Sequence, residues 1–402
     1  MSKQLLIFAW EFHGYHSVQG TALSRRIKQV ADGFRDNGWK VTVIHKDQRE
    51  ESGDNEYKIS IEPNGIKRIA IKGPTGDSKD LLNQPVLKRK LGTIYYTIFG
   101  GDRSFQWAKR VIKYFNSLDI ETPDLILSFF TPRGPLYLGN YFSKKLKAKW
   151  IADLQDPIDE GISPVLLGAC IKWMRKILRT AHAIVHVSPE WAKRDEEMLR
   201  LKINTIRHAV ASKTIGSNEA IQNRNDNEFR IFYGGSLNAP HQSLSLLKKV
   251  ISSVDTKPVQ LKLFLSGTEK TLTVFKKELG DLIEIVSLRW LDRDDYLQTI
   301  LQCDCTLLIP WSTPGKLIIF SKFYDQSGID KPIWIVGEDT GAFALLLNEW
   351  QHPSLPVGDF EFQKKALLAA TKKDYSYMFD VKKCKGKIIR EADLYHEYMK
   401  LL

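Results

Sequence analysis

The sequence predicts an α/β protein made of two Rossmann-like, doubly wound domains that face each other across a cleft. Its 402 residues exceed one ordinary core and suit two domains of roughly 150 to 200 residues each. Short apolar runs alternate with helical patterns in both halves of the chain, as in parallel α/β sheets. A polar segment without aromatic residues, SKTIGSNEAIQNRNDNE at 212 to 228, separates the halves and predicts an interdomain linker.

The first half, residues 1 to 211, opens with a βαβ pattern. The run QLLIFA at 4 to 9 is almost wholly apolar, as expected for a strand that is covered on both faces. A helix and the strand KVTVIH follow it, and the apolar face of that helix is formed by Leu23, Ile27, Val30 and Phe34. Further strands are predicted at LILSFF (125 to 130), WIADL (150 to 154) and AIVHV (183 to 187).

The second half, residues 229 to 384, repeats this rhythm. Its predicted strands are FRIFY, LKLFL, IEIV, CTLLI and PIWIV, and most end at glycine, proline or polar residues. A ligand crevice is expected at the carboxyl ends of the strands, where the two domains face each other. A last helix, within residues 385 to 402, is expected to pack on either domain, with packing back on the N-terminal domain as one option.

The composition limits the class of protein. No apolar run approaches the roughly 20 residues that a membrane-spanning helix needs, and the N-terminus lacks a signal-peptide pattern. The four cysteines match neither a disulfide framework nor a CxxC metal pattern, which indicates the reducing cytoplasm. The net charge of +12 predicts a polyanionic partner: nucleic acid, an anionic membrane surface or a phosphorylated small molecule.

A glycine turn is the first candidate binding motif. Gly234, Gly235 and Ser236 directly follow a predicted strand and precede a helix expected near Pro240. Glycines in such a turn let backbone amides approach a phosphate. His241, at the start of that helix, is a further candidate donor. The alternative is an ordinary tight turn followed by a surface histidine, and the sequence leaves both interpretations open.

The segment FSKFYDQSGIDKPIWIV, residues 320 to 336, is the second candidate motif. It places Ser321, Lys322 and Asp325 at the start of a helix that precedes a buried strand. Lys322 and Asp325 lie on one helix face, since one turn separates them. This arrangement suits a diphosphate at the ammonium and a ribose diol at the carboxylate. The alternative is a surface ion pair.

Six segments resemble, in their order and spacing, the retaining nucleotide-sugar glycosyltransferases of the family-4-like group, which have the B-type, two-Rossmann fold. They are QGTALSRRIKQVADGFRDNGWKVTVIH, WIADLQDP, AIVHVSPEW, RIFYGGSLN, DCTLLIP and SKFYDQSGIDKPI. The likeness is greatest to the bacterial surface-polysaccharide branch and covers nearly the whole chain. It implies an acceptor-side N-terminal domain and a C-terminal domain that binds the nucleotide sugar.

The resemblance also implies roles for individual residues. Asp325 matches the second acid of the family's Glu-x7-Glu motif, which binds the donor ribose, and Lys322 with Ser321 matches the diphosphate contact. The turn at 234 to 236 matches the phosphate turn, with a serine in place of the frequent arginine. Gly20 matches a glycine loop that approaches the donor phosphate and the acceptor.

One position departs from the family. Leu317 stands where the first acid of the motif, which contacts the donor sugar, is expected. The donor sugar and the stereochemistry are therefore left open, with retention favoured over inversion. The strand end that carries Arg289 and Trp290 is implied to lie near the nucleotide base.

Asp153 and Asp156 are the candidate catalytic residues. Asp153 lies near the end of the predicted strand WIADL and Asp156 follows that strand, and Gln155 between them replaces the branch's usual arginine. A carboxylate at the carboxyl end of a strand can orient or deprotonate an acceptor hydroxyl when its environment tunes it. Asp156 is the favoured acceptor-side acid. The alternative is that the carboxylates cap the following loop.

The run Asp292-Arg293-Asp294 resembles the metal-binding DxD motif of the other, A-type transferase fold. These acids precede a helical pattern and suit N-cap and first-turn positions better. We therefore expect no metal and no cofactor, with the nucleotide sugar bound as a substrate.

The segment VLLGACIKWMRKILRT, residues 165 to 180, predicts an amphipathic helix that suits an anionic membrane surface. The basic residues at helical spacing are Lys172, Arg175, Lys176 and Arg179, and Lys88-Arg89-Lys90 with Lys144-Lys145 would extend the patch. The alternative is a core helix with one solvated basic stripe.

The favoured function is a cytoplasmic glycosyltransferase, which is either free in the cytoplasm or peripherally bound to the inner face of the cell membrane. It would move a sugar from a nucleotide diphosphate sugar to a hydroxyl of a surface glycan or lipid-linked saccharide. Two alternatives stay open: a basic nucleic-acid or membrane-binding module without chemistry, and a nucleotide-sugar epimerase or hydrolase on the same fold. The lack of a zinc pattern and of an aromatic RNA-binding strand motif counts against nucleic acid as a partner.

Overall fold

The computed structural model describes residues 2–12, 22–47, 55–73, 102, 104–159, 162–210, 227–237, 242–291, 293–310, 319, 321–329, 331–338 and 341–402. The chain forms two compact units, Met1–His208 with Glu391–Leu402, and Ala209–Arg390. The predicted linker falls almost entirely outside the described residues. Also outside them are Gly20, His241, Asp292, Leu317 and the basic run at 88 to 90.

The first unit is built on an eight-stranded sheet in the order β3-β4-β2-β1-β5-β6-β7-β8. Its strands are β1 (Gln4–Ala9), β2 (Lys40–Asp47), β3 (Tyr57–Ile61), β4 (Lys67–Lys72), β5 (Leu125–Phe130), β6 (Lys149–Leu154), β7 (Ala183–His186) and β8 (Asn204–Thr205). Neighbouring strands are parallel except β3 and β4, which pair antiparallel at one edge. All six residues of β5 are buried, as the apolar run predicted.

Helices flank this sheet and bury their apolar faces on it. They are α1 (Ala22–Asp36), α2 (Ser104–Tyr114), α3 (Gly134–Leu146), α4 (Pro164–Leu178) and α5 (Pro189–Leu199), with a 3-10 turn at Phe115–Ser117. In α1 the spacing of Ile27, Val30 and Phe34 places all three side chains in the core, fully buried. The βαβ unit predicted at the start of the chain is confirmed.

The second unit carries a five-stranded parallel sheet in the order β11-β10-β9-β12-β13. The strands are β9 (Glu228–Gly234), β10 (Gln260–Ser266), β11 (Glu284–Leu288), β12 (Cys305–Leu308) and β13 (Ile333–Ile335). The helices are α6 (Ser245–Ser253), α7 (Glu269–Leu279), α8 (Arg293–Gln302), α9 (Ser321–Ser327), α10 (Ala342–Glu349) and α11 (Phe360–Thr371), with a 3-10 turn at Val381–Lys383. The strand order reverses between β9 and β12, which is where doubly wound sheets form a ligand crevice.

The last helix, α12 (Glu391–Met399), belongs to the first unit and packs against α1. The Tyr395 ring meets the Phe34 ring edge-on, with 4.9 Å between the ring centres. Gly33 of α1 makes room for this helix, because an added Cβ would lie only 3.4 Å from Cβ of Tyr395. The C-terminal helix therefore contributes to the core of the first unit, next to the first helix of the chain.

The amphipathic helix predicted at 165 to 180 is present as α4, but one of its basic residues has a structural task. Cys170, Met174, Ile177 and Leu178 are buried, and Arg175 donates hydrogen bonds to the carbonyl oxygens at 198 and 199, at 2.9 and 2.7 Å. Arg175 thereby satisfies carbonyl groups at the end of α5. The exposed basic stripe is left with Lys172, Lys176 and Arg179. No helix in the described ranges combines the length and the hydropathy needed to cross a bilayer.

The pair β3 and β4 has no counterpart in the sequence analysis. Every residue of β3 is at least partly exposed, and the strand holds no uninterrupted apolar run. An edge strand of this kind lacks the strong apolar signal on which strand prediction depends.

Candidate functional site

The glycine turn lies at the carboxyl end of β9, beside the point where the strand order of the second unit reverses. Gly235 has a φ of +115°, a conformation that residues with a Cβ rarely adopt, and its N–H donates to the Ser266 carbonyl oxygen at 2.8 Å. A Cβ at Gly234 would lie 2.5 Å from Cε2 of Tyr296. Gly235 is therefore needed for its backbone conformation, and Gly234 is needed because the Tyr296 ring leaves no space for a Cβ.

Lys322 reaches this turn from the first residues of α9. Its Nζ lies 3.4 Å from the Tyr233 hydroxyl and 4.6 Å from the centre of the Tyr233 ring. A Cβ built on Gly235 would be 3.7 Å from the same Nζ, so the amine stands next to the turn. Desolvation by burial lowers the pKa of Lys322 to about 8. The side chain is thus still mostly cationic at pH 7, in a poorly hydrated position where charge interacts strongly with a ligand.

The segments at the ends of β9, β10 and β11 contact one another through backbone atoms and the Ser266 hydroxyl. A Cβ on Gly267 would meet the Gly235 carbonyl oxygen at 2.5 Å. The Ser266 hydroxyl donates to the Arg289 carbonyl oxygen at 3.1 Å and accepts from the Leu291 N–H at 3.3 Å. These contacts fix the segment that carries Arg289 and Trp290 at the same edge of the sheet as the glycine turn.

Arg289 and Trp290 are both exposed at this edge, and 45% of Trp290 is accessible to solvent. Ser321 is half-buried at the start of α9, whereas Asp325, one turn on, retains only 8% of its accessible surface. The structure thus brings the glycine turn and Lys322 together. The assignments of a base contact to the tryptophan segment and a ribose contact to Asp325 stay predictions.

The sequence did not indicate a role at this site for three residues, Tyr233, Tyr296 and Gln326. Tyr233 contacts Lys322 directly, and the Gln326 amide donates to the Tyr296 hydroxyl at 3.1 Å and accepts from Thr306 at 3.3 Å. The available signal was the placement of these residues, since Tyr233 immediately precedes the two glycines and Gln326 follows Asp325 in an otherwise buried helix turn.

In the first unit, Asp153 has a different environment from the one predicted. It is fully buried, and its Oδ2 accepts hydrogen bonds from Nε and Nη2 of the equally buried Arg26, at 3.2 and 3.1 Å. The Tyr398 hydroxyl and the Gln155 amide also donate to this carboxylate. With four protein donors and no exposed surface, Asp153 cannot act on an acceptor hydroxyl. We correct its assignment from a catalytic to a structural residue.

Asp156 lies two residues beyond the end of β6 and is half-buried. Its Oδ2 accepts a hydrogen bond from the Thr131 hydroxyl at 2.6 Å, just past the end of β5. Unlike Asp153, it keeps solvent-accessible surface at the carboxyl edge of the sheet. Asp156 is thus the predicted catalytic candidate whose surroundings suit contact with a substrate.

A buried histidine lies on the strand next to the one that precedes Asp156. His186 ends β7 opposite Leu154 of β6, and its Nδ1 accepts a hydrogen bond from the Ser188 N–H at 3.2 Å. Burial lowers the pKa of His186 to about 3, so the ring is neutral at pH 7 with its proton on Nε2. Asp195, whose Oδ2 lies 3.7 Å from that Nε2, has a pKa that burial raises to about 6.

The neutral ring of His186 predicts a pH dependence of stability. Its folded-state pKa of about 3 lies below the unfolded value of 6.5, so the unfolded chain binds the extra proton between these values. The neutral, buried His186 ring therefore contributes its full stabilisation above pH 6.5. Below that pH the free energy of unfolding decreases, and the contribution is lost as the pH falls towards 3. Against the variant His186→Gln, we expect the wild type to lose on the order of 3 kcal/mol more between pH 7 and pH 4.

The measurement is urea unfolding at each pH, with His396→Gln as the control because His396 is exposed on α12. Asp195 titrates in both proteins, so its opposite contribution cancels in the comparison as long as its surroundings are kept. Equal pH profiles for the wild type and His186→Gln would contradict a buried neutral ring.

No family model matches this chain, and no curated protein matches it either. Solved structures match it over its whole length. The catalytic domain of starch synthase IV from Arabidopsis thaliana, bound to ADP and acarbose, aligns with a TM-score of 0.61 at 10% identity, over 100% of this chain and 98% of that chain. HepE from Anabaena in complex with UDP-glucose aligns with a TM-score of 0.51 at 13% identity, over 99% and 100%.

An epimerase structure is also similar. A Listeria monocytogenes protein assigned as a UDP-N-acetylglucosamine 2-epimerase aligns with a TM-score of 0.50 at 11% identity, over 99% of this chain and 95% of that chain. At such identities the likeness defines the fold alone. The chain therefore has the glycosyltransferase B-type fold, with two Rossmann-like units, which confirms the predicted fold class.

Proposed function

We propose that this protein is a glycosyltransferase that moves a sugar from a nucleoside diphosphate donor to a hydroxyl group. The observation that carries the proposal is the placement of the Lys322 amine beside the glycine turn at the switch point of the second sheet. A cation beside a tight glycine turn at this position suits a diphosphate. When the bond to the sugar breaks, negative charge grows on the diphosphate, and the same groups would stabilise it.

The flanking residues suit the remainder of a nucleotide. Trp290 offers an exposed ring at the end of β11, and Arg289 precedes it, so we assign this segment to the base. Asp325 is assigned to the ribose, with only the small accessible part of its side chain available for that contact. The similar structures with bound ADP or UDP-glucose support the choice of ligand class.

The test of the function is a thermal-shift panel of UDP, GDP, dTDP, ADP and CMP with their sugars. A ligand that binds only the folded state raises the melting temperature as its concentration exceeds the dissociation constant. We expect one nucleoside diphosphate to stabilise the protein and the other bases to do so less. A panel without any shift, together with salt-sensitive binding to random oligonucleotides, would favour a nucleic-acid-binding module instead.

We assign the acceptor side to Asp156 and expect Asp156→Asn to lower transfer about 100-fold while donor affinity changes less than about twofold. The amide keeps the shape and can still accept from Thr131, but it cannot take a proton from an acceptor hydroxyl. The measurement is release of nucleoside diphosphate from the stabilising donor with a panel of oligosaccharide acceptors. The control is Asp159→Asn, because Asp159 is a nearby carboxylate already paired with Arg194. Full turnover in Asp156→Asn would remove this assignment.

A nucleotide-sugar epimerase is the second candidate, because the Listeria structure shares the fold. The two reactions differ in their products. A transferase releases a nucleoside diphosphate and forms a glycoside, whereas an epimerase returns a nucleotide sugar with one inverted centre. Proton NMR of the donor incubated with and without acceptors separates the two.

We propose that transfer needs no metal, since the Lys322 ammonium supplies positive charge at the proposed diphosphate position. Within the described ranges, no three His, Cys, Asp or Glu side chains are grouped to hold a metal ion. The backbone of α8 begins at Arg293, so Asp294 lies in a first helical turn, as expected for a helix-start acid. Unchanged turnover in the presence of a chelator is the expected result.

For localisation we propose the cytoplasm, with contact to an anionic membrane face through α4. Lys172, Lys176 and Arg179 are exposed on this helix, and Val165 near its start is 90% exposed. Basic residues beside an exposed apolar side chain suit a lipid interface, and a lipid-linked saccharide would be met there. Co-sedimentation that is equal with neutral and anionic vesicles would rule out this contact.

A further inference from the structure

Tyr233 connects Lys322 to the glycine turn at the end of β9. It immediately precedes Gly234 in β9, and its side chain is fully buried. Its hydroxyl lies 3.4 Å from Nζ of Lys322 and 3.2 Å from the carbonyl oxygen of Ser236. One buried phenol thus bridges a side chain of α9 and the backbone of the turn.

The chemistry of the phenol fixes the direction of both hydrogen bonds. Burial, with the neighbouring Tyr296, raises the pKa of Tyr233 far above its ordinary value, so the hydroxyl keeps its proton. A carbonyl oxygen only accepts and an ammonium only donates. The phenol therefore donates to Ser236 and accepts from Lys322, and its ring, 4.6 Å from the amine, adds a favourable face for the cation.

We propose that Tyr233 is a positioning residue that holds the Lys322 amine beside the glycine turn, so that the cation is in place before a diphosphate arrives. This inference rests on the proposed function of the same site. A lysine ends a flexible four-carbon stem, so holding it in one place reduces the ordering that binding would otherwise require. Because the hydroxyl also bonds to the Ser236 carbonyl oxygen, the position of the amine and the position of the turn are set together.

Among the residues that the structure describes, three elements place titratable groups in or next to the site of the amine. Asp325 lies one turn along α9 from Lys322, Tyr233 approaches from β9, and Tyr296 of α8 packs on Gly234 next to Tyr233. Tyr233 has a hydrogen bond to both the amine and the turn. Removing its hydroxyl takes away an acceptor of the ammonium and leaves the ring in place.

The first test is Tyr233→Phe in the full-length chain, with Tyr377→Phe as the matched control. Tyr377 lies elsewhere in the second unit, where its ring packs on Phe362. We expect the dissociation constant of the nucleoside diphosphate found in the thermal-shift panel to rise about fivefold in Tyr233→Phe. The melting temperature without ligand should stay close to that of the control.

A double-mutant cycle shows whether Tyr233 acts through Lys322. In the background Lys322→Met, the change Tyr233→Phe should have no further effect on nucleotide affinity. The same fivefold loss in both backgrounds would overturn the positioning role, since Tyr233 would then act independently of the amine. No loss in the wild-type background would overturn it as well, and the proposed function would survive either result.

A second measurement needs no nucleotide. The rate of Lys322 acetylation by acetic anhydride, read by peptide mass spectrometry against pH, reports the pKa of its amine. Because the hydroxyl stabilises the charged form, we expect the midpoint to move to lower pH in Tyr233→Phe. An unmoved midpoint would overturn the inference, whereas failure of the wild type to bind any nucleotide while the midpoint moves would reject the proposed function alone.

Discussion

Lys322→Met is expected to weaken binding of the nucleoside diphosphate by about 10- to 100-fold, the effect of losing charge-assisted hydrogen bonds to an anion. Methionine fills a similar volume beside the Tyr233 ring, so the packing of α9 should survive. The loss is expected to be largest for diphosphates and much smaller for the nucleoside, because the amine stands next to the glycine turn to which we assign the diphosphate. Isothermal titration calorimetry with the nucleoside, its monophosphate and its diphosphate measures this difference.

The control is Lys372→Met, which removes the same charge from an exposed position after α11. It corrects for the net charge of +12, which attracts any anion over a long range. If the two variants bind the diphosphate equally well, Lys322 has no local role and the donor site must be sought elsewhere. If all three ligands weaken in parallel, the substitution has disturbed the fold of the site.

Arg26→Met is expected to lower the free energy of unfolding by about 3 to 5 kcal/mol, because it leaves the Asp153 carboxylate buried without its cation. Arg26 also donates to the carbonyl oxygens of Ile206 and Arg207, both at 2.9 Å, and these acceptors lose their partner too. The measurement is the urea midpoint together with the slope of the transition.

Arg35→Met on the same helix is the matched control. Arg35 is partly exposed and pairs with Asp32 and Asp36, so its loss should cost less than about 1 kcal/mol. The double variant Arg26→Met with Asp153→Leu should recover part of the stability, since no buried charge remains. A loss in Arg26→Met no larger than that in Arg35→Met would show that the pair is dispensable, and the structural assignment of Asp153 would fall.

Much of the fold was predictable because most of its central strands are predominantly apolar and several are followed by glycine, proline or polar residues. LILSFF and FRIFY are such segments, and each forms a strand of one of the two sheets. The pairing of Asp153 with Arg26 was not predictable, because the partners lie 127 residues apart and no local pattern connects them. A carboxylate at the carboxyl end of a strand has the same sequence signal whether it points to a substrate or to a buried arginine.

At the glycine turn and Lys322, too, some residues could be predicted from the sequence and one could not. The sequence indicated the glycines and Lys322 as candidates for phosphate binding, and the structure places them side by side. Tyr233 was hidden inside an apolar strand, where an aromatic residue normally indicates packing alone. Its hydroxyl becomes informative only when the contacts of α9 with the end of β9 are known.

The return of the chain to the first unit makes the second unit an insertion. The polypeptide leaves the first unit after His208 and re-enters it at Glu391. The outgoing and returning segments run side by side, since the Val210 N–H donates to the Ile389 carbonyl oxygen at 2.9 Å. The second unit, residues 209 to 390, is therefore inserted into the chain of the first unit, and the two ends of the insert lie next to each other. Domains with neighbouring ends are tolerated as insertions. A free-standing first unit is accordingly not residues 1 to 208 but that segment rejoined to the last twelve residues of the chain.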